Sequence, residues 1–74
     1  MTPNEIARVE GYLRKAFSNN LISIDLPTKP DAPIEVQIKD EFVGVLHRDE
    51  DEGEVSYTFM MSILEEDLPS LNSV

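Results

Sequence analysis

Cysteine and tryptophan are both absent from the 74 residues, and the missing cysteine has the larger consequences. No disulfide can staple the chain, and the softest metal ligands are lost with it. A reducing cytoplasm is the compartment that fits. Long apolar runs are missing too, since none approaches the ~20 residues that a membrane-spanning helix needs. The opening Met1-Thr2-Pro3-Asn4-Glu5 has neither a basic nor an apolar stretch, so no leader peptide is expected. Glycine occurs only at Gly11, Gly44 and Gly53, too scattered for a phosphate-cradling loop. No serine stands in a G-x-S-x-G setting, which removes the commonest nucleophile motif.

Positive charge is scarce as well. Six Lys and Arg face fifteen Asp and Glu, for a formal net charge of −9. Before Asp40 the acids Glu5, Glu10, Asp25, Asp31 and Glu35 are balanced by Arg8, Arg14, Lys15, Lys29 and Lys39. From Asp40 to Asp67 the only base is Arg48, so the excess sits in the second half. That half repels DNA, RNA and anionic membranes, which argues against all three as partners.

What is present describes one small domain over residues 1–74, with 69–74 expected as a frayed tail. A chain this short buries only about 60% of its unfolded surface, and its core stabilises it modestly. It also has little volume for a pocket of several hundred cubic ångströms, so neither an enzyme nor a cofactor is expected.

The opening is helical. Thr2 and Glu5 make a T-x-x-E capping box, and Pro3 takes the first helical position. Ile6, Val9, Leu13, Ala16 and Phe17 then share a face at 3.6-residue spacing, with Tyr12 at its edge. Arg14 and Lys15 lie in the last turn, opposing the helix dipole.

The period then changes to two. Leu21–Leu26 alternates, with Ile22, Ile24 and Leu26 on one face. Pro27, Pro30 and Pro33 stiffen the connector that follows. Ile34–Lys39 and Phe42–Arg48 read as strands around an Asp40-Glu41 turn, and Asp49–Gly53 as the next loop. Glu54–Leu64 reads as a long fourth strand. Parity then sets Ile38 opposite Val43, Val36 opposite Val45 and Ile34 opposite His47. One continuous apolar face results: Ile34, Val36, Ile38, Val43, Val45, Val55, Tyr57, Phe59, Met61 and Ile63. The helix stripe is its natural cover. The expected fold is therefore α+β, an N-terminal helix on one face of a four-stranded antiparallel meander (αββββ). Leu64, Leu68 and Leu71 have helical spacing and leave a short final turn open.

The stretch Phe42-Val43-Gly44-Val45-Leu46-His47-Arg48-Asp49-Glu50-Asp51-Glu52-Gly53-Glu54-Val55-Ser56-Tyr57 joins the opening Thr2-Pro3-Asn4-Glu5-Ile6 and the closing Ile63-Leu64-Glu65-Glu66-Asp67-Leu68 in a wider likeness. Together they resemble a family of short alphaproteobacterial proteins known only as a domain of unknown function. The resemblance implies a bacterial cytosolic protein of about this size and supplies no reaction or site residues.

Two function classes survive. The first is a non-catalytic interaction module. It would self-associate, as a homodimer, through an outer sheet face carrying Phe42, Leu46, Met60 and Leu64, or dock a basic protein on its acidic half. The second is a divalent-cation-binding protein using the Asp49–Glu54 loop, with Asp49, Asp51, Glu52 and Glu54 as ligands. Clustered carboxylates suit calcium, but the glycine falls at the wrong loop position for an EF-hand and no helix flanks the loop. A solvated hairpin loop explains the same residues. His47, the only histidine, reads as a structural residue on the core face, because one imidazole without cysteine makes a poor metal site.

Overall fold

The capping box forms as the sequence requires. Thr2 Oγ1 accepts from the Glu5 amide at 3.1 Å, and Glu5 Oε1 accepts from the Thr2 amide at 3.0 Å. The computed structural model describes residues 1–27, 29 and 32–71. From this start runs helix α1, Pro3–Ala16, followed by β1 (Ile22–Ile24), β2 (Ile34–Ile38), β3 (Glu41–Asp51) and β4 (Glu54–Met61). A 3-10 turn, Glu65–Asp67, follows β4. The strands make one sheet in the order β1-β2-β3-β4, antiparallel throughout. This is the expected α+β meander. Part of the expected frayed tail, 72–74, lies outside the described residues, as do Thr28, Pro30 and Asp31 of the proline connector.

Both turns differ from the sequence reading, and the difference reverses one strand. The first turn is Lys39-Asp40, with φ of 52° and 65°, and it leaves Ile38 opposite Glu41. Such left-handed pairs match the twist of a two-residue hairpin. Gln37 then faces Phe42 while Val36 faces Gly44, so Val43 is an extra residue, a bulge in β3. The bulge inverts the parity beyond it. Gly44, Leu46 and Arg48 turn toward the helix, where Val45 and His47 were expected. The second turn is Glu52-Gly53, with φ of 50° and 83°, so Asp49–Asp51 belong to β3 rather than to a loop. β4 stops at Met61, three residues short of the expected Leu64.

The buried core consists of Ile6 and Leu13 from α1, with Ile22, Ile24, Ile34, Val36 and Leu46 from the sheet; Val9, Ile38, Val43 and Phe59 pack partly against it. Leu26 lies exposed beyond the end of β1; Phe17, expected on the apolar helix stripe, and Tyr12, expected at its edge, are 59% and 70% exposed. The helix explains why. Its backbone approaches β1, at one side of the sheet, and does not reach across to β4. The molecule measures 48 × 24 × 23 Å with a radius of gyration of 14.6 Å, against about 11 Å for a compact chain of this length. The β3–β4 hairpin projects past the helix.

Candidate functional site

A trough of about 540 Å³ opens between α1 and the projecting hairpin. Its floor and walls are Val9, Tyr12 and Leu13 from α1 with Leu46, Tyr57 and Phe59 from the strands, and Glu5 and Arg8 lie at its rim. A second, wholly apolar hollow of about 220 Å³ continues toward Phe17 and Met61. The small chain thus holds more concave volume than its length suggests, because the helix covers only half the sheet.

One polar cluster spans the trough. Glu5 Oε2 accepts from Arg48 Nε at 2.8 Å and from the Tyr57 hydroxyl at 2.7 Å. Arg48 Nη2 donates to Glu50 at 3.0 Å. Glu5 is therefore both a helix cap and a clasp that ties the helix N-terminus to β3 and β4. The Thr2 amide, the Tyr57 hydroxyl and Arg48, in that order, pull its carboxyl from an ordinary 4.5 down to about 2. The same bond to Glu5 raises the Tyr57 phenol, and Glu5 followed by Glu50 raises Arg48. A carboxylate held this low is a weak base near neutral pH, and its lone pairs are engaged.

The clasp makes stability pH-dependent. Because the folded Glu5 carboxyl titrates below its unfolded value, its contribution is complete above about 4.5 and is lost as pH falls toward 2. Glu5→Gln keeps the capping box, since glutamine serves that position, but removes the charge. The variant is expected to melt lower than the wild type at neutral pH and to converge with it near pH 2. Parallel melting curves at every pH would contradict the clasp.

The residues singled out from sequence are scattered. Leu46, expected on the outer face, is only 3% exposed and lies beneath the helix, because the Val43 bulge turns it inward. Phe42, Met60 and Leu64 are exposed but have lost Leu46 as their centre. His47 is exposed opposite Thr58 rather than in the core. Asp49 and Asp51 lie along β3, Glu52 is in the turn, and Glu54 begins β4 opposite Asp51. Among the described residues no three His, Cys, Asp or Glu side chains are grouped to hold a metal ion. The sequence does not bring Glu5, Arg48 and Tyr57 together, because the parity that sets His47 opposite Ile34 turns Arg48 to the outer face, away from the helix. Gly44 was the available signal, since a lone glycine inside a strand marks a bulge or a close approach.

A family model described as a protein of unknown function (DUF3126) matches residues 5–67. The chain belongs to that family. No curated protein and no solved structure gives a significant match. Among the described residues no helix is long and apolar enough to cross a membrane.

Proposed function

We propose that the chain is a small, non-catalytic interaction module that self-associates through the side of the sheet left open by α1. The observation that carries this reading is the one-sided cover: Val55, Tyr57 and Met61 are 44%, 37% and 52% exposed beside the trough, on the face that α1 covers elsewhere. A chain without disulfides gains from burying such a surface against another subunit. The engaged Glu5 carboxylate favours a non-catalytic role, and the dispersed acids of the hairpin give the cation reading no support. The lack of cysteine and the resemblance to alphaproteobacterial proteins favour the cytosol of such a bacterium as its setting.

Sedimentation equilibrium at two ionic strengths tests the reading. The mass is expected to rise toward that of a dimer over roughly 10 μM to 1 mM, the range of a weak interface. Salt should favour association by screening the repulsion between copies. Met61→Lys should weaken the association about tenfold or more. A strict monomer at both salts, even one that binds polylysine at the acidic hairpin tip, overturns the reading.

A further inference from the structure

The two edges of the sheet are treated differently. At the β1 edge side chains of the helix hold two outward backbone groups: Glu10 Oε2 accepts from the Ile24 amide at 2.9 Å, and Arg14 Nε donates to the Ile22 carbonyl at 2.7 Å. The Glu10–Arg14 ion pair, 3.3 Å, joins the two guards. Among the described residues no side chain of α1 hydrogen-bonds to the backbone of β4. That strand has eight residues in unbroken register with β3, no proline, no bulge, and Glu54 at one end as its only charge. Proline, charge and bulges are the usual means of blunting an edge, and β4 lacks all but one terminal charge.

The hairpin geometry says which groups are free. In a two-residue hairpin the closing pair, Asp51 and Glu54, is hydrogen-bonded, and hydrogen-bonded pairs then alternate along the ladder. Glu54, Ser56, Thr58 and Met60 thus bond to β3. Val55, Tyr57, Phe59 and Met61 direct their N–H and C=O groups to the open edge, and their side chains lie on the trough side.

Resting on the self-association reading, we infer that two copies join by antiparallel pairing of β4 with β4, about a twofold axis at Thr58, into one eight-stranded sheet. This register matches all four outward residues: Val55 lies opposite Met61 of the second copy, and Tyr57 opposite its Phe59. Centring on Tyr57 would set Met61 opposite the turn. The charges agree with it as well. Glu54 lies opposite Ser62 of the second copy, so the acidic turns are at opposite ends, with the two Glu54 backbones about 27 Å apart, several times the ~8 Å screening length. The helix, packed at the β1 edge, stands clear of the junction.

A single cysteine is a clean probe because the chain has none. Thr58 meets its twin as a non-hydrogen-bonded pair, with Cα atoms about 4.5 Å apart, within disulfide range. Thr58→Cys, oxidised with glutathione disulfide, is expected to become almost wholly a covalent dimer, and Ser23→Cys on the β1 edge to remain monomeric. Ser56→Cys should link to Met60→Cys in a mixture but not to itself. A reversible dimer by sedimentation whose Thr58→Cys and Ser56/Met60 variants do not cross-link overturns the strand pairing and leaves self-association standing. A monomer without cross-links overturns both. Cross-linking through Ser23→Cys instead would assign the contact to the guarded edge and contradict the inference.

Discussion

Gly44→Val is expected to abolish cooperative folding. A Cβ at Gly44 would overlap the carbonyl oxygen of Met60 and stand 2.6 Å from Cε1 of Phe59. The first obstacle is backbone of the neighbouring strand, so relief requires β3 and β4 to part. Overpacking in a tight core costs about 1–3 kcal/mol even where side chains can move, and here the backbone itself must give. A chain of this size has only several kcal/mol in total. Gly11→Ala is the control. Nothing stands within 4 Å of a Cβ there, and alanine in the helix should raise stability by about 1 kcal/mol. Thermal denaturation followed by circular dichroism reads both. A folded Gly44→Val protein melting near the wild type would mean that the close approach of β3 and β4 is wrong.

Leu46→Ala should cost about 2–5 kcal/mol, the usual loss for a buried leucine, and His47→Ala should stay within about 0.5 kcal/mol. Leu46 lies beneath α1 at 3% exposure, beside Phe59. His47 is on the other face in the open. Without the bulge at Val43 the order would be reversed, with His47 in the core and Leu46 outside. Urea denaturation separates the two arrangements, and equal losses from both variants would refute the bulge.

That reversal shows how far the fold was legible. The helix, its capping box and the four strands follow from local signals: a T-x-x-E box, one 3.6-residue stripe and runs of alternating apolar residues. The relation between strands does not. Lys39-Asp40 carries no glycine to mark a left-handed turn, so the local pattern points to Asp40-Glu41, one residue late. The bulge then depends on Gly44 fitting beneath Phe59, a contact between residues fifteen apart. Neither the local pattern of β3 nor that of β4 contains it. The face of β4 is legible, since the alternating residues Val55, Tyr57, Phe59 and Met61 lie on the trough side as their pattern predicts.

The candidate site was less legible for the same reason. The clasp joins Glu5 to Arg48 and Tyr57, 43 and 52 residues away, and its existence depends on the parity of β3. Exposure of the β4 edge depends in turn on where the helix settles. Glu10 and Arg14 read as an ordinary helical ion pair, yet they also hold the β1 backbone. Their attachment places α1 at that edge and leaves the other uncovered.

Backbone amide hydrogen exchange along β4, followed as protein concentration rises, tests the open edge and its use most directly. In dilute protein the amides of Val55, Tyr57, Phe59 and Met61 should exchange rapidly, while those of Ser56, Thr58 and Met60 are protected by β3 and that of Ile24 by Glu10. As concentration rises the four outward amides should become protected together, with Ile24 unchanged. Outward amides that exchange at the same rate at every concentration would contradict the account.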